Sequence, residues 1–137
     1  MSSLNATLQL LLPIRRQRLR RAESQLREAT QTLTQQETAL KKLWQEKETQ
    51  QEQYRQEQED FRRRLQEQAQ SLDSLQQQRE RTQRQIGRLR QQQQRGEDGE
   101  ARCQQQQRQV ADRRALLRQC QKAVEKLEFL LTLNQEP

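Results

Sequence analysis

The sequence predicts an all-α fold: two long helices folded back on each other as an antiparallel coiled-coil hairpin. Three observations carry that expectation. Hydrophobic residues make up only 29% of the 137 residues, whereas globular domains run at roughly 45–50% by a broader count, so a multilayer core is out of reach. There are 3 Gly and 2 Pro, too few to punctuate a chain of turns and short strands. The apolar residues that are present recur at alternating three- and four-residue steps, the spacing of a helical seam.

Residues 1–12 read as a flexible apolar N-terminus. Its one apolar run, Leu10-Leu11-Leu12, has its positive charges after it rather than before it. That is the reverse of a secretory signal, and the run is far short of the roughly 20 residues a membrane span needs. The expected location is therefore the cytoplasm.

Helix 1 is expected over 13–70, with Pro13 in its first turn, where a missing N–H costs nothing. Its seam runs Leu19, Ala22, Leu26, Ala29, Leu33, Leu40 and Leu43, then continues in phase through Lys47 to Tyr54 and Phe61. A second run, Leu65, Leu72, Leu75, Ile86 and Leu89, is offset by a four-residue step between Phe61 and Leu65. Such a stutter locally unwinds a coiled coil. Gln, Arg and Glu, all good helix formers, fill the flanks. Glu23–Arg27 and Glu59–Arg63 stand in the favourable order for ion pairs one turn apart.

Two places can turn the chain: the segment 71–74, where Ser and Asp can cap a new helix, and 95–99, which carries Gly96 and Gly99. Matching the apolar ends favours 71–74. A hairpin centred near residue 72 sets Ile14 and Leu19 opposite Leu131 and Leu127. One centred near 97 leaves the first 60 residues without a partner. A near-continuous helix in a parallel homodimer is the alternative architecture.

Helix 2 is expected over 75–133, with a weak point at 96–99, since Gly costs about 1 kcal/mol relative to Ala in a helix. Its strongest series repeats every seven residues, Cys103, Val110, Leu117, Val124 and Leu131, joined by Cys120 and Leu127. Cys103 and Cys120 would stand ~25 Å apart on one helix, too far for a disulfide, so they read as small apolar seam residues. Residues 134–137 read as a frayed end. Each arm would be a rod of roughly 80–90 Å, held more firmly by its Leu-rich outer portions than by its Gln-filled middle.

Function follows from what is missing and from charge. The chain has no His, which removes His-based catalytic pairs and imidazole metal ligands. Its glycines sit in no phosphate-binding loop. No catalytic, cofactor or metal residue is assigned; the chain is expected to be non-enzymatic and to work by shape and contact. Net charge is +7, with the densest cluster at Arg15, Arg16, Arg18, Arg20 and Arg21. Dispersed aromatics (Trp44, Tyr54, Phe61 and Phe129) give no stacking platform, which argues against nucleic acid. Arg forks against a partner's carboxylates suit the cluster better. A generic coiled-coil scaffold is the rival reading, and a basic nucleic-acid-binding coiled coil the second.

The run Leu10-Leu11-Leu12-Pro13-Ile14 passes at once into Arg15-Arg16-Gln17-Arg18-Leu19-Arg20-Arg21-Ala22-Glu23, and Gln/Glu/Arg coiled coil follows. In this pattern the chain resembles the YscO/FliJ family, the stalk proteins of type III secretion and flagellar export machines, and among them the YscO-like proteins of virulence-associated or plant-pathogen secretion systems more than the flagellar branch. The resemblance implies an antiparallel hairpin inserted in the central pore of the hexameric secretion ATPase. It also implies coupling to an export-gate membrane protein, binding of escort chaperones, and a cytoplasmic place peripheral to the inner membrane. On that reading Arg15, Arg16, Arg18, Arg20 and Arg21 face the ATPase, and the tip residues Leu65, Leu72 and Leu75 face the gate.

Overall fold

The computed structural model describes residues 2–135, with side chains described for 3–134. It is an all-α helical hairpin of two helices, α1 over Ser2–Glu67 and α2 over Leu72–Gln135. No strand occurs among the described residues. Composition explains this directly: long stretches of Gln, Arg, Glu and Leu give no position where leaving the helix would be cheaper than continuing it.

The helix starts eleven residues before Pro13, so the segment 2–12 is helical rather than flexible, and Pro13 lies inside α1. An interior proline removes a backbone hydrogen bond and costs ~3 kcal/mol. What offsets it is burial. Leu8 is 6% exposed and forms a cluster with Leu127 and Leu131, against which Leu11, Leu12 and Leu130 pack. Each fully buried Leu contributes about 1.5–3 kcal/mol, and all of α1's share depends on helix before the proline. Met1, the first residue of the expected N-terminal segment, lies outside the described residues.

The connection occupies 68–71 rather than 71–74. Ser71 is the cap of α2, not part of its loop: the Ser74 N–H donates to Ser71 Oγ at 3.1 Å, satisfying one of the donors a helix start leaves orphaned. Asp73 in the first turn of α2 suits the helix dipole. At the other side of the loop the Gln68 N–H closes the last turn of α1 on the Arg64 carbonyl at 2.9 Å. Asn134 and Gln135 remain helical; residues 136–137, the rest of the expected frayed end, lie outside the described residues.

Two compact units divide the chain, one of Met1–Gln35 with Cys103–Pro137 and the other of Gln36–Arg102. In the first, Ala22, Cys103, Val110 and Val124 are buried in addition to the Leu8 cluster. Polar pairs fix its register: Arg16 to Glu128 at 3.2 Å, Arg113 to Gln25 at 3.1 Å, and Gln106 donating to the Ala29 carbonyl at 3.0 Å. Leu8, not Ile14, therefore meets Leu131, and Ile14 is exposed. The loop has the expected four residues but lies three positions earlier, which shifts the pairing between the helices by about six residues, from Ile14 to Leu8 opposite Leu131.

The second unit has a different interior. Its one buried residue is Gly96, over which the Trp44 ring lies. Around it the seam is polar: Lys47 donates to Gln93, Gln58 to Thr82 at 3.0 Å, and Gln85 to Glu57. Gln36, Gln85 and Gln92 also bury carbonyl oxygens that find no protein partner, each a cost of about 1–3 kcal/mol when desolvated. On the outer surface Arg55 bridges Glu52 at 2.7 Å and Glu59 at 3.1 Å, while Arg63 reaches Asp60 rather than the expected Glu59. The Arg55 hydrogen bond holds the Glu52 carboxyl below its ordinary range.

Candidate functional site

The seam residues read from the sequence occupy the packed face of each helix. In the first unit Ala22, Val110, Val124, Leu127 and Leu131 are buried, and Leu19, Leu26, Ala29, Leu33, Leu117 and Cys120 are half-buried. In the second, Leu40, Leu43, Ile86 and Leu89 are half-buried. Cys103 and Cys120 are free thiols.

The expected weak point at 96–99 is instead a seat. α2 runs through it without interruption, and no described glycine has a positive φ, so neither glycine is there to bend the chain. They are there for room. A Cβ on Gly96 would stand 2.2 Å from Trp44 Cη2, and one on Gly99 would stand 2.9 Å from Leu40 Cδ1. Lys47 completes the arrangement, its Nζ 5.3 Å from the Trp44 ring centre, where a cation is attracted to the ring face. Sequence reasoning missed this pairing, although a signal existed. Gly96 continues the seven-residue series of Cys103 and Val110, which marks it as a seam position.

The five arginines do not form one surface. Arg16 and Arg20, four residues apart, share one flank of α1, and Arg16 is already paired with Glu128, both about half exposed. Arg15 and Arg18, three apart, share the other flank and line a shallow groove with Leu116, Gln119, Cys120 and Ala123 of α2. Arg21 lies three residues beyond Arg18 and is exposed. In the second unit Leu65, Leu72 and Leu75 flank the loop and are all exposed, Leu72 at 71%. They are apolar side chains presented to solvent, not seam residues.

No cluster of His, Cys, Asp or Glu capable of holding a metal occurs among the described residues, and none of their helices is long and apolar enough to cross a membrane. The described surface presents exposed guanidinium groups, exposed leucines, and a shallow groove between the two helices of the first unit. Comparison with protein-family models, with curated proteins and with solved structures finds no match to this chain.

Proposed function

We propose that this chain is a non-enzymatic stalk of a type III secretion apparatus, coupling the hexameric secretion ATPase to the export gate. The observation that supports it best is the combination of an all-α hairpin with unequally distributed basic charge at Arg15, which is half-buried, and at the exposed Arg16, Arg18, Arg20 and Arg21. A coiled coil with charge on some faces and not others binds the subunits of a ring unequally. It can therefore shift their conformational equilibrium, since a ligand biases states only through its differential affinity for them.

In this reading the basic flanks of α1 engage acidic side chains of the ATPase. The exposed Leu65, Leu72 and Leu75 offer the apolar anchor that an export-gate partner would bury. Escort chaperones are a further class of partner. The protein would act in the cytoplasm, held at the inner membrane through the apparatus rather than by a span of its own.

The test is the ATP hydrolysis rate of the purified secretion ATPase with and without this protein. Wild type is expected to raise the rate, and the triple variant Arg15→Glu, Arg16→Glu, Arg18→Glu to lose that effect while keeping its helicity. An unchanged effect from the triple variant would remove the basic flanks from the account.

A further inference from the structure

Each helix of the first unit carries a second stripe beside the seam it already uses, in steps of three or four residues on α2 and of seven, three and four on α1. On α2 it is Leu116, Gln119, Ala123, Lys126, Leu130 and Leu133; on α1 it is Leu4, Leu11, Ile14 and Arg18. The stripes lie on the same side of the hairpin. Arg18 meets Leu116, Gln119 and Ala123 across one shallow groove, and Arg15 lies with Lys122, Lys126 and Leu130 along its continuation. Leu11 and Leu130 both pack against the Leu8 cluster, and Leu127 of that cluster also lines the groove.

A stripe of this spacing is what a helix presents to another helix, and each α-helix here has one to spare. Leu116, Leu127 and Leu130 line the groove, and Leu4, Ile14 and Leu133 continue the stripes with exposed side chains. Its charge is one-sided. Arg15, Arg18, Lys122 and Lys126 line it, and no acidic side chain does. A second copy applied through this face would set those cations against their own images. An acidic partner would neutralise them.

We infer that this groove is the docking site for an amphipathic helix of another protein, apolar along one face and flanked by Glu or Asp, completing a three-helix bundle. The inference goes beyond the stalk reading and does not depend on it. From Leu116 to Leu133 the stripe is about 26 Å long at 1.5 Å per residue, room for an occupant of roughly two and a half heptads. Shape gives the helix its place, and charge gives its selection and its on-rate.

The experiment uses the full chain and two fluorescein-labelled synthetic peptides, three repeats of EIAALEQ or of KIAALKQ, read by anisotropy in low salt. The acidic peptide is expected to bind saturably and the basic one not to bind. Lys122→Glu with Lys126→Glu is expected to weaken binding about tenfold or more. Leu116→Gln with Leu133→Gln is expected to weaken it as well. These four side chains are exposed, so helicity by circular dichroism is expected to be retained. Arg62→Glu with Arg63→Glu, in the other unit, is expected to leave binding unchanged.

Failure of the acidic peptide to bind, or binding that ignores the lysine pair, overturns the inference. So does self-association that the lysine variants strengthen, which would assign the groove to a second copy. Retention on phosphatidylglycerol vesicles without peptide binding would assign it to lipid and equally overturn it.

Discussion

Substituting alanine for each glycine of α2 separates three effects that the sequence alone would lump together. In an unhindered helix interior Gly→Ala stabilises by ~1 kcal/mol. Gly87 is unhindered: a Cβ there has nothing within 4 Å, so Gly87→Ala should gain the full amount. At Gly99 the added methyl would meet Leu40 Cδ1 at 2.9 Å, the end of a flexible side chain that can rotate, so most of the gain should survive. At Gly96 the methyl would stand 2.2, 2.4 and 2.7 Å from three atoms of the Trp44 ring. An indole cannot deform, so it must leave its seat, giving up its packing and its place beneath Lys47. Overpacking of this kind costs ~1–3 kcal/mol, which cancels or exceeds the propensity gain.

The assay is urea denaturation followed by circular dichroism, with tryptophan emission as a second reading. The chain has 1 Trp, so emission reports on Trp44 alone. The expected order of stability is Gly87→Ala above Gly99→Ala above Gly96→Ala, with a red shift of emission in Gly96→Ala only. Combining Gly96→Ala with Trp44→Ala should show coupling, because the alanine no longer displaces anything. Equal stabilisation by all three substitutions, with unchanged emission, would refute the seat.

Other consequences follow from the two units. Leu8→Ala should destabilise by about 2–3 kcal/mol, toward the low end for a buried Leu because its cluster is small, and should lower helix content as the segment before Pro13 melts. Ser71→Ala removes the α2 cap and should cost ~1 kcal/mol, read as a lower urea midpoint with an unchanged slope. Arg16→Glu sets two acids together at Glu128 and should cost under ~1 kcal/mol, since the pair is half exposed; adding Glu128→Arg should recover it.

The seam was readable because heptad spacing survives single substitutions: Leu19, Leu26, Leu33 and Leu40 keep phase whatever stands between them. The same arithmetic, carried one step back, reaches Leu12, so the helix before Pro13 was written in the sequence. The proline's preference for a first turn obscured it, and preference yields to burial when Leu8 has Leu127 and Leu131 to pack against. The loop position differed by three residues because Ser71 is equally suited to a turn or to a cap, and only the hydrogen bond to the Ser74 N–H distinguishes them. The role of Gly96 was hidden for another reason. Propensity describes a residue's own backbone, whereas this glycine is used for the space it leaves to a side chain some fifty residues away. The arginine cluster looked like one site as a string; on a helix, steps of three and four divide it between two flanks.

The proposal that this hairpin is a secretion stalk makes a direct demand on stoichiometry. Titrating the purified hexameric secretion ATPase with the full chain, followed by analytical ultracentrifugation, tests it without recourse to variants. The account predicts saturation at one hairpin per hexamer, weakened by added salt as charge-assisted docking requires. Absence of a complex, or a saturating ratio of one hairpin per ATPase subunit, would contradict a central stalk.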